Sequence, residues 1–420
     1  MLQGYRFLAV LIVLCLMITF ALAKSDPETV ARRIHQKVLT VDTHTDTPMR
    51  MADSTWDIGV RHEPGVRGSG QVDLPRMRQG GMDAIFFAAF VAQRDRTPEM
   101  EKWAFDQANT MITLVKKMCA KYPTQIALGL TPQDGYHHEK SGLMTAFIGM
   151  ENGFPIGKNI KNVEFFYNQG VRYITLCHTR NNDICDSSTD EKGPDHEGLS
   201  EFGEHVVREM NRLGMMVDAS HISDAAFYDV LKISKAPVIA SHSCARALCD
   251  NPRNLSDEML RALAKNGGVM QMCILSEYVK TPTPSPARDR ALDSLRQKYG
   301  PWENLASDSL RNEYRKGYYA VYEKHPRERA TVSDVVDHID HVVKIIGVDY
   351  IGIGTDFDGG GGVQGCNDVS EMPNITFELV KRGYSENDIA KIWGGNVMRV
   401  FRQVEKVAGK IKSEKNRSAD

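Results

Sequence analysis

Four of the 13 histidines in this 420-residue chain come at the ends of short apolar runs: His44, His178, His221 and His242. Carboxylates occupy the same kind of position, with Asp46 in Asp42-Thr43-His44-Thr45-Asp46, Glu151 in Glu151-Asn152-Gly153, and Asp356 in Thr355-Asp356-Phe357-Asp358. A buried imidazole or carboxylate without a partner costs free energy, and a metal ion is the partner that would satisfy several at once. His44 and Asp46 are two residues apart, so in an extended segment their side chains share a face and can converge on one cation.

The H-x-D spacing alone is a weak signal. Joined to Glu151, His221 and His242 it supplies three imidazoles and two carboxylates, a donor set suited to zinc or a similar divalent ion. Five ligands exceed what one catalytic zinc with an open position needs, but two Zn2+ ions sharing Glu151 as a bridge would use them all. His44, Asp46 and Glu151 would then hold one ion, and Glu151, His221 and His242 the other. Two ions roughly 3.5 to 4 Å apart acidify a bridging water to hydroxide and polarise a carbonyl, so the implied reaction is hydrolysis.

Three further residues fit roles around such a centre. His178 can donate to the oxyanion of a tetrahedral intermediate, and Asp356 can protonate a leaving amine. Arg253, in Asn251-Pro252-Arg253-Asn254, matches a substrate carboxylate in geometry, although a surface arginine in a turn would look the same. Asp358 directly precedes glycine and reads as a turn former.

The elements that must position these groups are legible as alternation. Apolar, β-branched runs cover Val38 to Thr43, Ala84 to Val91, Ala146 to Met150, Val171 to Cys177, Met215 to Ala219, Val238 to Ser241, Gly268 to Ile274 and Tyr350 to Gly354. Amphipathic helical patterns separate them, among them Thr97 to Ala120, Glu201 to Leu213, Asp224 to Ile233, Ser256 to Ala264 and Val332 to Ile346. This α/β pattern predicts a (β/α)8 TIM-type barrel, in which reactive groups collect at the carboxyl ends of the strands. After strand seven the rhythm breaks at Thr281-Pro282-Thr283-Pro284-Ser285-Pro286, and residues from about 280 to 330 read as a helical insertion on the barrel face. A lid and a solvated excursion both fit it.

The bulk properties fit a globular protein with a large core: 42% of residues are hydrophobic and 25% charged. A formal net charge of -2 with no basic run gives no footprint for nucleic acid and favours a small substrate. Residues 1–23 read as an export signal, with Arg6, an apolar stretch from Phe7 to Phe20, and Ala21-Leu22-Ala23 before the expected cleavage; an uncleaved anchor is the alternative. Residues 24–420 would then be the barrel, exported to the periplasm or secreted. Ile411 to Asp420 is hydrophilic and lacks the tail of a lipid-anchor signal, so no stable membrane anchor is expected after cleavage. Beyond Cys15 the cysteines form no C-x-x-C pair, which argues against a cysteine-zinc site and leaves disulfide pairing open.

From about Val41 to Val404 the chain resembles the membrane dipeptidase (renal dipeptidase) family, metallopeptidase family M19. The resemblance rests on Asp42-Thr43-His44-Thr45-Asp46, Gly149-Met150-Glu151-Asn152-Gly153, Gly170 through His178, Asn211-Arg212-Leu213-Gly214, Asp218-Ala219-Ser220-His221, Ala236 through Ser243, Arg253-Asn254 and Gly354 through Gly359. It implies a binuclear zinc barrel that hydrolyses dipeptides, with the five ligands above, Glu151 as bridge, His178 and Arg253 binding substrate, and Asp356 assisting proton transfer. Mammalian members carry a lipid anchor and form disulfide-linked dimers. The hydrophilic tail, Arg180 after His178-Thr179 and the Pro-rich insertion depart from them, so a homodimer stays open and a covalent one is not carried over.

Many other barrel hydrolases, lactonases among them, bridge their ions with a modified lysine, whereas strand three here ends in Glu151. A non-catalytic binding protein on the same barrel would be expected to have lost ligands, and all five are present.

Overall fold

Alternate residues of the strand Ala84–Phe90 enter different cores. Ala84 and Phe86 belong to one buried cluster, while Ile85, Phe87 and Ala89 belong to another. A pleated strand does this whenever both of its faces are covered, which is the condition of a strand in a barrel wall. The computed structural model describes residues 26–63, 68–300, 305 and 307–417. The expected export segment 1–23 lies outside the described residues.

Nine strands follow in order: β1 Val41–Thr45, β2 Ala84–Phe90, β3 Ile126–Leu128, β4 Met144–Glu151, β5 Val171–Thr175, β6 Met216–Asp218, β7 Ile239–Ser243, β8 Val269–Met272 and β9 Ile351–Ile353. All pairings between them are parallel, in the order β1-β2-β4-β5-β6-β7-β8-β9. These eight are the expected TIM-type barrel. The additional β3 pairs with the start of β4, ahead of Ile148, where β5 takes over that edge. The first expected strand begins later than its apolar run, because the Val38 amide donates to Ile34 O and closes the preceding helix instead.

The last seam, between β9 and β1, is closed by the segments that carry the candidate ligands. The Asp356 amide donates to His44 O at 3.0 Å, and the Asp46 amide donates to Phe357 O at 2.8 Å. Beneath them the buried Asp42 carboxylate accepts from the Thr355 amide at 2.8 Å and the Thr355 hydroxyl at 2.6 Å. Burial raises the Asp42 pKa to about 6, and the Thr355 bonds oppose that rise.

The amino-terminal end of the barrel is filled by Val41, Phe86, Phe147, Tyr173 and Ile239, capped by Met398, Phe401 and Val404 of the helix Asn396–Arg417. Each such large apolar side chain contributes roughly 1.5–3 kcal/mol by burial. The polar rim is thereby left at the opposite end.

The helices start where a hydroxyl can cap them. Ser200, Ser223 and Ser256 accept from backbone amides at the heads of Glu201–Leu213, Asp224–Ile233 and Asp257–Asn266. Thr331 and Asp334 form a reciprocal capping box on Val332–Ile346. Within the stretch read as an insertion, Pro286–Tyr299 and Asp308–Lys324 are two helices whose Tyr299 and Tyr314 rings lie 6.1 Å apart. The cysteines from Cys119 onward are free thiols, and all but Cys119 are buried. Among the described residues no helix is long and apolar enough to cross a membrane.

Candidate metal centre

The parallel register brings strand ends to one rim, so residues far apart in sequence meet there. Glu151, the last residue of β4, is at the centre. Its Oε2 lies 3.5 Å from His44 Nε2, on the side where His44 Nε2 also faces Asp46 Oδ1 at 3.7 Å. Its Oε1 lies 3.0 Å from His221 Nε2, 3.4 Å from His242 Nε2 and 3.8 Å from His178 Nε2. The two oxygens of one carboxylate thus face different donors. All five expected ligands are brought together, and donor atoms of Asp356 stand with those of His44 and Asp46 in one compact group.

These atoms fit a cation better than they fit one another. His44 Nε2 and Asp46 Oδ1 are buried without a hydrogen-bond partner. His242 Nδ1 lies 2.9 Å from the Ser241 hydroxyl, which donates its own proton to Asp218 Oδ2 at 2.6 Å. Ser241 must therefore accept from His242 Nδ1–H, leaving Nε2 of His242 as a bare lone pair. That lone pair points at His221 Nε2 across 2.9 Å. Lone pairs crowded beside a carboxylate oxygen require a shared proton or a metal ion between them.

The charge states agree. Burial alone would raise the Glu151 pKa, but the imidazoles of His44, His178, His221 and His242 hold it well below the usual carboxylate range. Burial, together with the positive charge of Arg253, holds His221 far down. Burial and the neighbouring His44 push His242 to about 3. Both rings are therefore neutral donors, the form in which histidine binds a metal. His44 behaves oppositely: burial disfavours its charge, but Glu151, Asp46 and Asp356 lift its pKa to about 10. A cation arriving there would take the place of that imidazolium proton.

The supporting residues explain why the ligands stay put. His44 Nδ1 meets the Tyr173 hydroxyl at 2.8 Å, which turns Nε2 toward Glu151. The Tyr173 ring fits because Gly149 stands opposite; a Cβ there would lie 2.2 Å from the ring. Asp218 accepts from the amides of Ser220 and Ser241 at 3.0 and 2.8 Å, tying the ends of β6 and β7 together. Tyr173, Asp218 and Ser241 were motif residues without an assigned role. Asp218 and Ser241 had a local signal, a carboxyl or hydroxyl group three and one residues before a ligand candidate, whereas Tyr173 meets His44 from 129 positions away and had none.

Backbone strain is concentrated here as well. His221 has φ 71°, Asp356 φ 61° and Asn152 φ 76°. Non-glycine residues in that region cost of order 1–3 kcal/mol each and gather at functional sites; His, Asp and Asn are the types that tolerate it best. Beyond Asp356 the chain turns back tightly. A Cβ at Gly359 would lie 2.2 Å from Asp356 Oδ1 and 2.3 Å from Asp46 Oδ2, so only glycine lets the loop cover both carboxylates.

The remaining expected residues divide by environment. His178 is three residues past β5, about a fifth exposed, with its ring edge-on to Phe90 at 4.8 Å. Burial lowers its pKa, so it is neutral at pH 7. Arg253 is buried rather than on the surface: it donates to His242 O at 3.1 Å, lies 5.3 Å from the Tyr278 ring centroid, and keeps Nε without a partner. Asp356 is buried, which raises its pKa to about 7 against the opposing charge of His44. Asp358 accepts from the Thr47 hydroxyl at 2.7 Å and the Gln71 amide at 2.9 Å, which is structural, as its place before glycine suggested.

Comparison with known proteins points the same way. A family model described as membrane dipeptidase (peptidase family M19) matches residues 28–415. Dipeptidase tcpJ of Claviceps purpurea is 34% identical over 378 residues, covering 88% of this chain and 78% of that protein. Dipeptidase 3 of Homo sapiens is 34% identical over 375 residues, covering 87% of this chain and 65% of that protein, so the chain spans about two thirds of that relative. Among solved structures, the probable dipeptidase PvdM from Pseudomonas aeruginosa superposes with a TM-score of 0.79 at 31% identity, covering 91% of this chain and 99% of that one. A metallo peptidase from Rhodobacter sphaeroides, solved with a phosphinate mimic of L-Ala-D-Ala, shares the fold with a TM-score of 0.69 at 22% identity, covering 87% of this chain and 99% of that one.

Proposed function

The chain belongs to the membrane dipeptidase family, peptidase family M19, and on that premise we propose that it is a zinc-dependent hydrolase of dipeptides carrying a free C-terminal carboxylate. The observation that carries this reading is the division of Glu151, with one oxygen toward His44 and the other toward His221 and His242. His44, Asp46 and Glu151 would hold one ion and Glu151, His221 and His242 a second. When bound, the two Zn2+ ions would supply an acidic water as nucleophile and polarise the scissile carbonyl.

The chain's own residues do the rest. Arg253 is buried, and its guanidinium presents a fixed fork to the terminal carboxylate of the dipeptide. That contact excludes longer peptides, whose next residue would have to occupy the guanidinium. Neutral His178 donates a hydrogen bond to the carbonyl oxygen as negative charge grows on it, an interaction stronger in the transition state than before it. Asp356 stands with His44 and Asp46 in one compact group and is placed to pass a proton to the nitrogen that leaves.

The direct test is a panel assay of the purified full chain with added zinc. Dipeptides are hydrolysed, amino-acid amides and DNA are not; inactivity across the panel would remove the peptidase reading. Export is part of the proposal, resting on the apolar stretch before Lys24. Amino-terminal sequencing of the exported protein is expected to begin at Lys24.

A further inference from the structure

His338 is buried and outside the ligand set, and the dipeptidase reading assigns it nothing. It lies on the helix Val332–Ile346, which packs against β8, β9 and the short helix Ser276–Val279. Its Nδ1 is 3.0 Å from the Ala245 amide nitrogen, and its Nε2 is 2.8 Å from Val279 O. A backbone amide only donates and a carbonyl only accepts, so Nδ1 is the lone pair and Nε2 carries the proton. Burial lowers the His338 pKa, which keeps the ring in the neutral form that this pattern requires. One imidazole thus joins two backbone groups that belong to different loops.

Those loops form the two sides of the Arg253 seat. Ala245 follows β7, and the segment around it carries the Arg253 loop: the Arg246 amide donates to Leu255 O at 2.8 Å, and the Leu255 amide donates to Cys244 O at 2.9 Å. Val279 directly follows Tyr278, whose ring centroid lies 5.3 Å from the Arg253 guanidinium. Asn254 ties the same two sides together, donating its side-chain amide to Cys249 O and to Tyr278 O, each at 2.8 Å. The guanidinium is held between them, bonded to His242 O on one side and facing the Tyr278 ring on the other. The width of that seat depends on the separation of the Ala245 segment from Val279, which His338 spans.

We propose that His338 is a positioning residue for the carboxylate clamp: by bridging Ala245 and Val279 it fixes the seat of Arg253, and so governs how tightly the C-terminal carboxylate of a dipeptide is held. The inference rests on the dipeptidase reading and on the role given there to Arg253. A guanidinium that meets a carboxylate through two parallel bonds tolerates little displacement, and residues behind it must lock its geometry. Ala245 and Val279 are both buried. Without the imidazole, the amide of one and the carbonyl of the other lose their bonds to it, and the loops regain partners only by moving. That movement changes the distance across which Arg253 sits.

The test uses the zinc-loaded full chain and measures kcat, KM and bound zinc with Ala-Ala as substrate in the wild type, His338→Leu, Arg253→Ala and the double variant. Leucine keeps an apolar filling at the position but offers neither donor nor acceptor. His338→Leu is expected to raise KM by roughly tenfold, with kcat changed by less than about threefold and bound zinc at the wild-type level. In the Arg253→Ala background the same substitution should change kcat/KM by less than about twofold, because the group it positions is gone. A merely structural role would lower activity in both backgrounds alike. His338→Asn, whose Oδ1 stands near the place of Nδ1 and can keep the Ala245 bond, should give a smaller rise in KM; it replaces the leucine variant in the cycle if that one does not fold. An unchanged KM in both variants, or an equal effect with and without Arg253, overturns the positioning role while leaving a working dipeptidase. A wild type that cleaves neither Ala-Ala nor any other dipeptide overturns the dipeptidase reading and this role with it.

Discussion

The buried Asp218 carboxylate accepts the hydroxyl proton of Ser241 at 2.6 Å, and through that bond it decides which nitrogen of His242 is free to bind a metal. Asp218→Asn can present an amide N–H to Ser241 instead, which allows the hydroxyl to donate to His242 and invert the ring's tautomer. Zinc affinity is expected to fall by roughly 10- to 100-fold, the usual cost of losing an outer-shell partner. Titration of the apoprotein with zinc against a competing chelator measures it. An unchanged affinity would show that the tautomer is set elsewhere.

Glu151→Gln replaces the carboxylate proposed as the bridge with a neutral amide, whose nitrogen cannot ligate. Metal content should drop from two ions to one or fewer, and kcat should fall by at least about 100-fold, since the bridge supports both ions. Elemental analysis on the dialysed variant, paired with wild type, provides the count. Retention of two ions with full activity would refute the bridging role.

Arg253→Ala removes a buried guanidinium that sits between His242 O and the Tyr278 ring. Charge-assisted contacts are worth roughly 1.5–3 kcal/mol, so kcat/KM for dipeptides should fall by about 10- to 150-fold. Its effect should be absent for substrates without a terminal carboxylate, if any are turned over slowly. Identical dipeptide kinetics would remove Arg253 from substrate recognition.

Asp83 gives a pH prediction away from the metal centre. Burial raises its pKa from 3.8 to about 6, while bonds from the Thr40 amide and hydroxyl oppose the rise. The folded state therefore holds this proton more tightly than the unfolded state, and its stabilising effect is present below about pH 4 and lost as the pH climbs to 6. The upper bound on that change is about 3 kcal/mol. Asp83→Asn does not titrate, so its melting temperature should vary less between pH 4 and 6 than that of the wild type. Parallel curves for the two proteins would contradict the assignment.

The strand ends His44, Asp46, Glu151, His178, His221, His242 and Asp356 were visible in the sequence because residue type and position within an apolar run are local properties. The same is true of the helices Glu201–Leu213 and Val332–Ile346, whose limits are marked by Ser200 and by the Thr331–Asp334 capping box. Three-residue β3 was invisible, since periodicity needs more length than that. For Arg253 the residues alone left a carboxylate clamp and a surface arginine in a turn both open, because nothing near it in sequence shows that Tyr278 and His242 bury it.

What the tertiary structure alone decided is orientation. The division of Glu151 between two sets of donors, the Tyr173 hydroxyl on His44 and the closure of the barrel by Asp42 on Thr355 join residues up to 313 positions apart. Sequence patterns specify which groups arrive at the rim, since a strand's period and its apolar run are set by neighbours in the chain. Which atom of each group faces which partner depends on register between strands and on packing behind them, and those are set only when the barrel closes.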